Sequence, residues 1–327
     1  YFMAYSIDHL TDESITASGG ALLQSSKSDN RYFEVSVRVG SGKLDNYRRL
    51  KGDWPTFSSP SLIPLDDNSA AIRRRIWLDT DRTYRAASQR LLQIQANQQN
   101  KVSSDDSADF SAESPSVSFQ EPPVLRYDSA EWTKRIKKAS ARFSQNPAVL
   151  SSSVSFSANR TAKYLVTTDG SRLAHGRNFM RVFLMARAKA ADGMDLSVTD
   201  SFDADDPSRL PSEKQLEETA DRLGNELAAL LKAPVVDPFV GPAILSGRAS
   251  GVFFHEIFGH RIEGHRQKDE TEGQTFTKSV NQPVLPDFLT VRFDPTIHKA
   301  AGTDLNGYYD FDDEGMPARP VVSVDKG

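Results

Sequence analysis

The chain has 327 residues, a formal net charge of -4, 38% hydrophobic residues and no cysteine. Disulfide scaffolds and thiol nucleophiles are therefore excluded, and no apolar run approaches the ~20 residues of a membrane span. The mildly acidic balance, with no nucleic-acid motif, argues against wholesale nucleic-acid binding. The length allows one large domain or two to three smaller ones.

The chain starts at Tyr1 without an initiator methionine. Removal of an export signal and trimming both account for that. Residues 1–8, 17–25 and 31–39 read as strands. In the last, Phe33, Val35, Val37 and Val39 alternate with polar residues, the period of a half-buried sheet. Ser18-Gly19-Gly20 reads as a turn or bulge, since no Gly-Lys-Ser/Thr and no helix follow it. Residues 45–68 are polar and proline-punctuated, hence loop. A helix is expected over 69–96, with Trp77, Tyr84, Ala87, Leu91 and Ile94 as its core face and Arg73-Arg74-Arg75 on its solvated face. The Ser/Asp-rich stretch 101–123 reads as a flexible linker or surface loop, too poor in apolar side chains to offset its ordering entropy.

Asp128 followed by Glu131 has the form of a capping box. The apolar positions Trp132, Ile136, Ala139 and Phe143 then define a helix face. Residues 154–158 alternate as a strand. Residues 164–173 have the shape of a hairpin turning at Asp169-Gly170, with His175 at its end and no partner spaced to join it. Strands follow at 179–190 and 194–198. Ser212 and Gln215 make a second capping box, opening a helix whose face is Leu216, Ala220, Leu223, Leu227 and Leu230. Ala233-Pro234 ends it. That end is the expected boundary between an N-terminal unit, 1–234, and a second unit, 235–327. Residues 235–245 read as strand and turn, 246–262 as a helix stopped by Gly264, 275–287 as loop, and 288–294 and 320–324 as strands.

The chemistry concentrates in Gly251–Gly264, where His255 and His260 flank Glu256. Neutral imidazoles hold divalent ions, and a neighbouring carboxylate can take a proton from an attacking water. On a straight helix at about 100° per residue, five steps set the two rings about 140° apart, too far round to share an ion. The spacing therefore demands either a π-bulge or a break near Gly259. The competing reading is two hydrogen-bonded histidines on a buried apolar helix, given Phe253-Phe254 and Ile257-Phe258. Burial of a charged Glu256 on such a helix would be costly without a partner.

His255-Glu256-Ile257-Phe258-Gly259-His260-Arg261-Ile262-Glu263-Gly264 and, downstream, Asp312-Asp313-Glu314-Gly315-Met316-Pro317 resemble the two signature stretches of the TldD/PmbA family, the proteins once called modulators of DNA gyrase. The resemblance is clearest from Pro211 to Gly327. It implies an α+β fold, with a mixed N-terminal α/β domain, the start of a mainly β C-terminal domain, and the metal-motif helix near their junction. It also implies Zn2+ held by His255 and His260, Glu256 as general base, unfolded peptides as substrates, homodimers or heterodimers with a paralogue, and a cytoplasmic location. Glu263 recurs in the motif, either to accept a hydrogen bond from a histidine or to cap the helical turn. His265 corresponds to no ligand in the family. The family's third ligand is usually a cysteine near the C-terminus, in a chain that runs on past the equivalent of Gly327. The expectation is therefore a fragment, or a site completed differently. The acidic run Asp310–Glu314 lacks the spacing of a calcium loop, and the resemblance implies a strand-to-turn element bending at Gly315. Two functions follow: a zinc-dependent peptidase, or a catalytically silent relative serving as dimer partner or peptide-binding protein.

Overall fold

The computed structural model describes residues 1–50, 56, 60–98, 108–267 and 275–327. The first part is a sheet, antiparallel except where Val117–Phe119 runs parallel to its neighbour, with helices on one face. Strands β1 (Phe2–Ser18) and β2 (Ala21–Arg38) form one long hairpin. Gly19 and Gly20 turn it with φ of 55° and 84°, which a side chain would resist. The expected strand over 17–25 thus straddles the turn, and the stretches either side belong to two strands rather than three. β5 (Ser151–Thr167) pairs with β1, and β6 (Arg172–Lys189) pairs with β5 through the Asp169-Gly170 turn. Short β3 (Ser61–Leu62) lies beyond β2. β4 (Val117–Phe119) and β7 (Asp195–Ala204) share the free edge of β6, giving the order β3-β2-β1-β5-β6-β4 with β7 also on β6.

The odd-numbered residues of β1 face the helices. α1 (Ser69–Gln98) packs over Phe33, Val35 and Val37 of β2 through Ala87, and Ile94 is fully buried. Its inner face differs from the expected stripe. Trp77 and Tyr84 are exposed, while Asp79 is buried, accepting from Ser61 Oγ at 2.6 Å and Arg75 Nε at 2.8 Å. Arg75 is thus drawn in from the run taken as solvated. α2 (Ser129–Phe143) and α3 (Glu213–Leu230) cover the other end of the same face. α2 starts at Asp128, which accepts from Glu131 N, and its Trp132 stacks on Phe156 at 4.5 Å. α3 carries the full Ser212–Gln215 box, and Leu216, Ala220, Leu223 and Leu227 are buried.

Of the stretch read as a linker, 101–107 lie outside the described residues. Residues 108–123 follow the surface: Asp109 accepts from Arg48 Nε at 2.9 Å, and β4 adds to the sheet.

Past α3 the chain is more open. Residues 235–245 form no strand, and Val240 and Ile244 stand in solvent. α4 (Gly247–Ile257) is followed by a single 3-10 turn, Gly259–Arg261, and a short α5 (Gly264–Gln267). Gly264 begins that last helix instead of stopping the motif helix. Four short strands follow: β8 (Val291–Phe293), β9 (Lys299–Ala300), β10 (Thr303–Asp304) and β11 (Val321–Val324). They pair as β8 with β11 and β9 with β10.

The C-terminal segment covers the sheet face opposite the helices. Asp312 accepts from the backbone N–H groups of Glu314 and Met316, closing a turn with Gly315 at φ 87°. A Cβ on Gly315 would sit 2.8 Å from Leu165 Cδ2. Gly315→Ala therefore combines backbone strain with a clash, together about 1–3 kcal/mol. The expected outcome is faster hydrogen exchange at the 310–317 turn with α2 and α3 still protected; unchanged exchange there would show that the contact does not hold the segment.

Candidate metal centre

Ser246 caps α4, accepting from Ala249 N at 3.4 Å. Arg248 ties this end to the sheet, bonding Ser201 O at 3.1 Å and Asp200 at 3.4 Å. α4 places no residue of its own in a core: Val252, Phe253 and Phe254 are partly or largely exposed. Phe258, just past its end, is the first buried residue, 3% exposed, with its ring 5.7 Å from that of Phe276.

The helix breaks there. Phe258 N still donates to Phe254 O, but its φ of -127° and ψ of -52° leave the helical region. Arg261 N then reaches back only three residues, to Phe258 O, as in a 3-10 turn. Gly259 has no positive φ, and a Cβ there would meet nothing closer than 3.8 Å. Glycine's conformational freedom is therefore not what the break uses.

The consequence is the geometry that a straight helix forbids. The His255 and His260 rings lie 4.3 Å apart, inclined at 69°. One donor atom from each of His255, Glu256 and His260 falls within 4.8 Å of the other two. Glu256 is open to solvent, 62% exposed, as is His255, so the buried helix of the competing reading does not occur. His260 is more enclosed, and its Nδ1 lies 2.7 Å from Glu263 Oε1. Glu263 Oε2 in turn accepts from Arg266 Nε at 2.5 Å. The hydrogen bond from Arg266, then that with His260, brings the Glu263 pKa down to about 2. An ionised Glu263 can accept a proton from Nδ1, the tautomer that would leave Nε2 of His260 to bind a metal. The sequence pointed to Glu263 but not to Arg266, which sits three residues on, within reach of the same helical turn. His265 belongs to α5, and its side chain lies outside the described residues. Two imidazoles could hold a divalent ion, with the Glu256 carboxylate beside them to take a proton from a water.

Two cavities, of about 600 and 780 Å³, lie elsewhere, against the sheet and the 306–321 segment; neither is lined by His255, Glu256 or His260. The donor chemistry, not cavity size, marks the candidate metal site. His175 is inside β6 rather than at a hairpin end, and it lines the smaller cavity beside Phe311.

Residues 122–232 match the sequence model of the PmbA/TldA metallopeptidase central domain, and residues 240–327 that of the PmbA/TldA metallopeptidase C-terminal domain. The chain belongs to the PmbA/TldD family. A metalloprotease from Archaeoglobus fulgidus is 33% identical over 85 residues, 26% of this chain and 18% of that protein. One from Methanothermobacter thermautotrophicus is 27% identical over 182 residues, 55% of this chain and 37% of its own length. The chain thus matches well under half of either relative. Among solved structures, a protein described as a modulator of a DNA gyrase from Thermotoga maritima superposes with a TM-score of 0.60 at 15% identity, and TldE from Thermococcus kodakarensis with 0.55 at 14%. Each covers the whole of this chain, which spans 65% of theirs. These neighbours share the α+β fold. No described helix is long and apolar enough to cross a membrane.

If the two rings share one ion, His255→Ala or His260→Ala should each abolish stoichiometric zinc, and Glu263→Ala should weaken it about 10–100-fold. Elemental analysis and zinc titration read this. Unchanged zinc in both histidine variants would separate the ring pair from any metal.

Proposed function

We propose that this protein is a zinc-dependent peptidase acting on unfolded peptides, with Glu256 as general base. The observation that carries the reading is the approach of His255 and His260 to 4.3 Å despite a spacing of five. Packing of Phe258 accounts for the break itself, but not for the presence of two imidazoles and a carboxylate at the place where the break brings side chains together, since none of those three is buried.

His255 and His260 would hold the ion, with Glu263 fixing the orientation and tautomer of the His260 ring. Zinc, when bound, polarises a carbonyl oxygen and lowers the pKa of water. Glu256 takes the proton from the attacking water and passes it to the departing amine; its exposure leaves room for both substrate and water. The open placement of the site suits an extended chain, which can be laid against a surface, better than a folded one. The same reading includes a second polypeptide, identical or paralogous, over the exposed apolar residues Val236, Phe239, Val240 and Ile244.

The alternative, a catalytically silent family member that binds peptides or pairs with a paralogue, keeps the fold without using Glu256. Glu256→Gln discriminates. Gln keeps the shape but cannot accept a proton, so hydrolysis of an unstructured peptide by the zinc-loaded protein should fall by roughly 10²–10⁴-fold with zinc content near wild type. Hydrolysis undiminished with zinc still bound would remove Glu256 from the mechanism.

A further inference from the structure

The sheet face opposite the helices holds the cavity of about 600 Å³, roofed by residues 306–313. Strand register lays out its floor. Tyr32, Asp8, Lys163 and His175 are direct neighbours across β2, β1, β5 and β6. Two residues along, Leu10, Thr161 and Arg177 make the next row. Tyr309, Asp310 and Phe311 line it from the roof. This volume falls within the range of small-ligand pockets.

The cations here already have partners. Lys163 pairs with Asp313, and Arg177 donates to the carbonyls of Asn306 at 3.0 Å and Tyr308 at 3.2 Å. Burial, then the charge of Lys163, holds the His175 pKa below its ordinary value, so the ring is neutral at pH 7. The anions differ. Among the described residues, the carboxylates of Asp8 and Asp310 neither accept a hydrogen bond nor pair with a cation. Asp8 is half-buried in the middle of the sheet, and burial, with Asp313 and Glu34 nearby, raises its pKa against the pull of Lys163. An unpartnered carboxylate withdrawn from water is costly, and a cationic ligand would relieve it. Aromatic rings at the rim add cation–π attraction to the same kind of ligand. A free anion fits less well, because Lys163 and Arg177 are engaged.

We propose that this cavity binds an organic ammonium or guanidinium group, the amino terminus or a basic side chain of a peptide, with Asp8 and Asp310 as its anionic partners and Tyr309 and Phe311 as its walls. The site uses none of the residues of the histidine pair and holds whether or not the protein hydrolyses peptides.

Calorimetry on the whole chain, with a chelator present so that no metal contributes, tests it. Four probes suffice: triglycine amide with a free amino terminus, N-acetyl-lysine amide, N-acetyl-glycine amide and N-acetyl-glutamate amide. Saturable binding is expected for at least one of the first two, and which one binds identifies the source of the cation. The neutral and acidic probes should not bind, and affinity should fall with added salt. Asp8→Asn and Asp310→Asn should each weaken binding by about tenfold or more. Asp310 is exposed on the roof, so its variant decides the matter if Asp8→Asn fails to fold by circular dichroism. No saturable binding of either cation, equal binding of the glutamate probe, or unchanged affinity in Asp310→Asn would overturn the proposal.

Discussion

The histidine pair depends on the burial of one ring. From Gly247 to Arg261, Phe258 alone is buried. Burying a phenylalanine side chain is worth about 1.5–3 kcal/mol, whereas a single backbone hydrogen bond of a helix contributes about 1 kcal/mol net. Packing Phe258 against Phe276 therefore outweighs the loss of helical continuity, and the chain leaves the helix at that residue. Everything chemical follows from the change of pitch. The turn Gly259–Arg261 carries His260 back over His255, and the next residues bring Glu263 beneath His260 and Arg266 beneath Glu263.

The sheet supplies the frame for this arrangement. One face is filled by α1, α2 and α3, and the other receives the 306–317 segment. Arg248 reaches Asp200 and Ser201 on β7, and Arg209 reaches Asp304 at 2.9 Å. With Gly315 seated on Leu165, these contacts tie the chain after α3 to the sheet at several separate points. The exposed ion pairs among them add little individually. Steric fit at Gly315 and the burial of Leu165 and Leu173 contribute more.

Much of this was legible in the sequence because the signals were local. Asp128 and Ser212 announce their helices through side-chain acceptors three residues ahead of the donors they satisfy. The Asp169-Gly170 turn and the alternation in 31–39 likewise depend on near neighbours. The α1 face was misread because Trp77 and Tyr84 are large and apolar, and size was taken for burial. The true face includes Asp79, whose burial depends on Ser61 and Arg75 and so on contacts that no periodicity encodes. Residues 235–245 read as strand and turn for their apolar content and prolines, but they pair with no strand among the described residues and are irregular. For the site, the five-residue spacing correctly required a deformed helix. Gly259 drew attention as its cause, while Phe258, through burial against a residue far along the chain, is where the backbone departs. The cavity on the second sheet face was not legible at all, since Asp8, Lys163 and His175 meet only through strand register.

The central claim is that the break at Phe258 lets His255 and His260 hold one ion. X-ray absorption at the zinc edge of the zinc-loaded protein tests this most directly. The account predicts the multiple-scattering signature of two imidazoles in the wild type and of one or none in the His260→Ala variant. A spectrum showing only oxygen ligands, or one unchanged by that substitution, would contradict it.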